Sequence, residues 1–112
     1  MKAGRVPDRG DLVWIDFSPH AGHEQGGRRP AIAISRFDYN RKVGLALFCP
    51  ITSRAKGYPF EVPLPSGSGI EGVVLCDQIK SMDWTARGFQ RAGRAPDPVV
   101  NEVLKVASTM LR

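Results

Sequence analysis

Proline and glycine cut this chain into apolar runs too short for a helical bundle. Nine prolines and twelve glycines fall among 112 residues. They bound stretches such as Leu12 to Phe17, Ala31 to Ile34, Leu45 to Ile51 and Gly72 to Ile79. Short apolar runs set between turn-forming residues read as strands of a compact, turn-rich β fold. A chain of this length makes one domain, residues 1–112, with a real core but no room for a second.

Asp11 to Phe17 follows the turn Pro7-Asp8-Arg9-Gly10 and reads as the first strand. Alternation puts Val13, Ile15 and Phe17 on one face and Leu12, Trp14 and Asp16 on the other, so both faces need cover. Ser18 to Arg29 is a long polar loop holding His20, His23, Glu24 and Gln25. A second strand runs from about Pro30 to Ser35. Pro30 has no amide to donate, so it belongs at the strand's first residue or on an edge. Phe37 to Gly44 reads as a polar connection. A third strand, Leu45 to Ile51, leads into the basic loop Thr52-Ser53-Arg54-Ala55-Lys56-Gly57. Tyr58 to Leu64 reads as a short strand with proline-blunted edges, and Gly72 to Ile79 as another. Lys80 to Trp84 extends that strand or turns to a short partner. Trp14 and Trp84 read as core.

The last element changes period. Asp97 is placed to cap a helix and Pro98 suits its first turn. Val100, Val103, Leu104, Ala107 and Leu111 then form one apolar face. The expected fold is mainly β with α: a curled antiparallel sheet forming a small barrel, closed by a C-terminal helix.

Cys49 and Cys76 lie inside apolar runs and read as small buried hydrophobes. No CxxC pair or cysteine–histidine zinc spacing is present. No signal-type apolar region opens the chain and no stretch reaches membrane length. The expectation is a reduced, cytoplasmic protein that does not enter a membrane.

A net charge of +5 and a pI near 9.7 suit a polyanionic partner. From Arg28 to Lys56 the basic residues face only Asp38. Gly-rich phosphate loops before helices, nucleophile elbows, His-Glu-x-x-His and paired carboxylates are missing. What remains is phosphate-friendly: Arg28, Arg29, Thr52, Ser53, Arg54 and Lys56, carried on two loops at strand ends. An arginine at the mouth of a strand is well placed to meet a phosphate, because its planar fork matches the oxygens.

Four stretches carry a family resemblance: Pro7 to Phe17 with its Gly-Asp-x-x-Trp opening, Glu24-Gln25-Gly26-Gly27-Arg28-Arg29-Pro30-Ala31, Lys56 to Val62, and Gly72 to Ser81. Together they resemble the MazF/PemK family of toxin endoribonucleases over nearly the whole chain. The resemblance implies an SH3-like barrel, a homodimer, and metal-independent, cofactor-free cleavage of single-stranded RNA at short sequences. It also implies inhibition by a cognate antitoxin with an acidic, disordered tail. The family's catalytic arginine and threonine correspond to Arg29 and Thr52, and its activity-linked acidic residue to Glu24.

Cleavage by an internal 2′-hydroxyl leaves a 2′,3′-cyclic phosphate and a 5′-hydroxyl. It needs a proton removed, a pentacoordinate phosphorane stabilised, and a proton given to the leaving oxygen. Arg29 and Thr52 supply donors for the phosphorane. Arginine is a poor base at a pKa above 12, so His23, in the same loop, is a candidate for proton transfer. Phe17 is a candidate for stacking an unpaired base. Arg28, Lys56, Lys80 and Arg87 are candidates for backbone contacts. Asp77 and Gln78 are candidates for reading base edges, and Gln25 and Ser53 complete the expected RNA-binding set. Two other classes compete. One is a non-catalytic gyrase poison of the same fold. That relative depends on a tryptophan near its C terminus, where this chain reads Thr109-Met110-Leu111-Arg112. The other is a plain module binding single-stranded nucleic acid.

Overall fold

A computed structural model describes residues 6–17 and 27–111. The elements run β1 (Asp11–Asp16), β2 (Arg28–Ala33), α1 (Phe37–Val43), β3 (Ala46–Thr52), β4 (Glu61–Pro63), β5 (Val73–Leu75), β6 (Lys80–Met82), α2 (Trp84–Arg87), β7 (Phe89–Arg94) and α3 (Asp97–Thr109). Every strand pair is antiparallel. The sheet is ordered β4-β5-β3-β2-β1-β7, with β6 beside β3. It curls as expected, but its end strands β4 and β7 do not pair, so the barrel stays open. A bulge between Leu12 and Val13, opposite β7, helps bend it.

Apolar residues on both faces of β1 reflect two cores. On one face Leu12, Ile32, Cys49, Val74 and Cys76 pack with Val100, Val103 and Ala107 of α3. On the other, Val13, Ile15, Ala31, Ala33, Phe48 and Met82 meet Phe17, Trp84 and Phe89. Trp84 behaves as the sequence suggests: its ring meets Phe89 edge-on and its Nε1 donates to the Asn40 carbonyl at 3.1 Å. Trp14 does not. It is 38% exposed.

Phe37–Val43 is a helix, where a polar connection from Phe37 to Gly44 is expected. Its only buried residue is Asn40, so no apolar stripe announces it. The signals were polar. Asp38 lies in the first turn and Arg41 and Lys42 in the last, which suits the helix dipole. Gly44 closes the helix at φ 81°, returning its N–H to the Asn40 carbonyl. Asn40 is a buried hub, with Nδ2 donating to the Pro7 carbonyl at 2.7 Å and to the Ser35 carbonyl at 3.0 Å.

The predicted strands at Tyr58 and Gly72 shrink to three residues each, and Lys80–Met82 is a separate strand. Strand β7 was missed altogether: its sequence, Phe-Gln-Arg-Ala-Gly-Arg, is too polar to show as apolar alternation. Two of its arginines instead hold the buried Asp11, Arg91 at 2.7 Å and Arg94 at 3.2 Å. Asp97 does not cap α3; Pro96 holds that position and Asp97 begins the helix, with Pro98 in the first turn as expected. Leu111 falls beyond the helix and is 77% exposed, outside the apolar face.

Both cysteines are buried and free. Burial pushes the Cys49 thiol up to about 12 and Cys76 to about 11. They pack as the small hydrophobes expected. Among the described residues no helix is long and apolar enough to cross a membrane.

Candidate active site

Pro30 opens the site. The Phe17 N–H donates to the Gly27 carbonyl at 3.1 Å. This bond has the β1–β2 register, in which Trp14 faces Pro30. Hydrogen-bonded and non-bonded pairs alternate along an antiparallel ladder, so Trp14–Pro30 is a non-bonded pair. Proline's missing donor therefore points at β3. On that side the Ile34 N–H bonds the Leu47 carbonyl at 2.8 Å, and the pairing ends at Ala31–Pro50. The same alternation makes Pro30–Ile51 the next bonded pair, and Pro30 has nothing to give. The ladder stops at Ala31–Pro50. Pro30 is third in its strand, yet at that point the strand has an edge, as a proline requires.

Continued one step further, that register would set Arg29 opposite Thr52. Residues facing each other across an antiparallel pair put their side chains on the same face. That face is the one of Ile15 and Ala31, opposite Trp14 and Pro30, and both residues border a groove at the strand ends. A cleft of about 650 Å³ occupies it, lined by Trp14, Arg29, Pro30, Thr52, Ser53 and Arg54 among others. Trp14 is exposed because it faces Pro30 at this opening.

The side chains are set for phosphate. Among the described residues the exposed Arg29 guanidinium has no hydrogen-bond or ion-pair partner. Arg28, by contrast, donates Nη2 to the Trp14 carbonyl at 2.9 Å, which ties it to β1. The Thr52 Oγ1 accepts the Arg54 N–H at 3.1 Å. A hydroxyl that accepts there keeps its own O–H for a substrate oxygen.

A second cleft of about 270 Å³ adjoins the first through Thr52 and Arg54. Lys56, Tyr58, Glu61 and Gln78 line it as well. The structure therefore brings together Arg29, Thr52 and Ser53 in one cleft, and Thr52, Lys56 and Gln78 in the other. Arg28, Asp77, Phe17, Lys80 and Arg87 line neither. Phe17 is half-buried against the second core with the Lys80 ammonium 5.8 Å from its ring centre. Arg87 donates Nη1 to the Asp16 carbonyl at 2.7 Å, which fastens α2 to β1. Glu24, Gln25, His20 and His23 lie outside the described residues. Sequence reasoning missed Trp14 and Tyr58 as cleft residues. For Trp14 the available signal was its place beside the Arg-Pro step, which only the register reveals.

Comparison with known proteins is consistent over the length of the chain. The model of a PemK-like, MazF-like toxin of type II toxin–antitoxin systems matches residues 8–111. The endoribonuclease toxin MazF of Escherichia coli (strain K12) is 54% identical over 93 residues, covering 83% of this chain and 83% of that protein. Endoribonuclease PemK of Escherichia coli is 40% identical over 109 residues, covering 93% of this chain and 81% of that protein. Among solved structures, a MazE–MazF crystal structure (Form-II) from Deinococcus radiodurans superposes with a TM-score of 0.88 at 53% identity, covering 95% of this chain and 96% of that one.

Proposed function

We propose that this chain, which belongs to the PemK-like, MazF-like toxin family of type II toxin–antitoxin systems, cuts single-stranded RNA at the groove between Arg29 and Thr52. It is a MazF-like endoribonuclease toxin. The observation that carries the site is that Arg29 and Thr52, beyond the last β2–β3 pair at Ala31–Pro50, line one cleft.

The chemistry follows from what that groove offers. The substrate's 2′-hydroxyl attacks the adjacent phosphorus, the P–O5′ bond breaks, and a 2′,3′-cyclic phosphate and a 5′-hydroxyl result. Charge builds on the equatorial phosphoryl oxygens in the transition state. Arg29 presents N–H donors to those oxygens from a backbone held by its pairing with Ile15, and Thr52 adds its O–H. Such preorganised donors lower the barrier because they need no reorientation when the charge appears. One proton leaves the 2′-hydroxyl and one reaches the departing 5′-oxygen. Arg29 is unsuited to the first transfer, which we assign to the loop carrying Glu24 and His23. Ser53, Lys56 and Gln78 contact the strand on either side. Metal has no part in these steps. A cognate acidic antitoxin neutralises the toxin, as MazE pairs with the Deinococcus radiodurans MazF. A cytoplasmic homodimer completes the reading.

The test is a defined single-stranded RNA incubated with the purified protein in EDTA. Cleavage leaving a 2′,3′-cyclic phosphate is expected. Loss of cleavage in EDTA, or 3′-hydroxyl ends, would overturn the mechanism. Retention of RNA without cleavage would mark a binding module, and inhibited DNA supercoiling alone a gyrase poison.

A further inference from the structure

The second cleft has a floor that phosphate chemistry does not explain. Tyr58 is 49% exposed, yet it is stacked on Phe60, with ring centres 5.1 Å apart and planes 23° from parallel. An aromatic face held open to solvent beside a phosphate groove is a ready platform for a nucleobase, whose own face stacks on it whatever the base. The platform is fixed before substrate arrives. The Glu61 carboxylate accepts the backbone N–H groups of Lys56 and Gly57 at 3.1 and 3.0 Å, and the Glu61 N–H returns to the Tyr58 carbonyl at 3.0 Å. These bonds clamp the loop that carries the ring.

The surroundings suit a base and its phosphate. Lys56 and Arg54 supply positive charge, and the exposed Gln78 amide offers both a donor and an acceptor. About 270 Å³ is the scale of a single nucleotide, not of several. Because this cleft meets the catalytic one at Thr52, a strand with its scissile phosphate on Thr52 delivers one flanking base onto Tyr58. Resting on the ribonuclease reading above, we propose that Tyr58 is the stacking platform of a base-recognition subsite beside the cut, with Gln78 reading the edge of the stacked base. Stacking gives the subsite its affinity, and the Gln78 amide gives it selectivity.

The experiment pairs protein variants with altered RNA. Sequencing of cleaved ends first fixes a target RNA, and an abasic residue is then placed in turn at each position flanking the cut. Tyr58→Ala is expected to lower kcat/KM by on the order of ten- to a hundredfold, as loss of one base–aromatic stack does, while Tyr58→Phe cleaves like the parent. Removing the base at one flanking position costs the parent a similar factor and adds little to the loss in Tyr58→Ala. Gln78→Ala relaxes base preference at that same position. The proposal is overturned if Tyr58→Ala cleaves as the parent does, or if every abasic penalty is the same with and without Tyr58. The ring is exposed, so Tyr58→Ala is expected to melt close to the parent temperature. A parent protein that cleaves no RNA would remove the ribonuclease reading itself. A parent that cleaves alongside an unimpaired Tyr58→Ala removes only the subsite.

Discussion

Arg29→Ala is expected to slow RNA cleavage roughly a thousandfold, the upper range for losing one preorganised donor, with no measurable change in melting temperature. The two halves of that outcome have separate causes. Arg29 borders the groove with no partner among the described residues, so its truncation removes nothing that holds β2 in place. Its backbone pairing with Ile15 is untouched. Arg29→Lys is expected to restore less than about a tenth of the lost rate, since an ammonium is a point charge and cannot offer the bidentate fork. Single-turnover kinetics beside a thermal melt check both halves. Near-parental turnover by folded Arg29→Ala protein would remove Arg29 from the chemistry.

Gly72→Ala is expected to be among the most damaging one-carbon changes in the molecule, although Gly72 touches no substrate. Its φ of +129° is rarely adopted by residues with a side chain, and an added Cβ would sit 2.3 Å from the Thr52 carbonyl oxygen and 2.8 Å from its carbon. Both atoms are backbone, so neither rotates away. The next residue, Val73, is the ladder partner of Thr52. Relief therefore moves Thr52 itself. Backbone strain and overpacking together cost about 2–5 kcal/mol. Displacing the hydroxyl lowers turnover by at least about tenfold, since a misplacement near 1 Å is enough to do so. Denaturant melts and cleavage assays well below the melting temperature separate the two losses. Unchanged stability would mean that β5 slides without disturbing β3.

These two residues also mark what the sequence can and cannot disclose. That Arg29 stands at a strand mouth is readable from Arg-Arg-Pro-Ala, and that Thr52 ends a strand is readable from the apolar run before it. Their meeting is not readable. It depends on the β2–β3 register, a long-range pairing that local composition does not encode. Pro30 held half of that information, since a proline inside a strand demands an edge, but the sequence does not say which neighbour stops short. The curled sheet, the buried cysteines and the apolar face of α3, Leu111 apart, come out as expected. The failures have a common origin. Helix α1 has no apolar stripe and strand β7 offers the cores only Phe89 and Ala92, and side-chain polar contacts help to hold both, Asn40 to Pro7 and Ser35 in one case and Asp11 to Arg91 and Arg94 in the other. Trp14 was misjudged for the opposite reason. Its hydrophobicity suggested core, but its neighbour across the ladder is the proline where the sheet opens.

The claim that Arg29 and Thr52 act on one phosphate is tested most directly by a double-mutant cycle in single-turnover RNA cleavage. Groups that stabilise the same transition state lose their effect together, whereas independent groups contribute additively to the barrier. Thr52→Ala alone is expected to cost roughly a hundredfold. The Arg29→Ala, Thr52→Ala double variant is predicted to cleave within about threefold of Arg29→Ala alone, each residue being of little use without the other. A double variant slowed by the full product of the two single penalties would show that the two side chains work at separate points, and would contradict a shared phosphate at the end of the β2–β3 ladder.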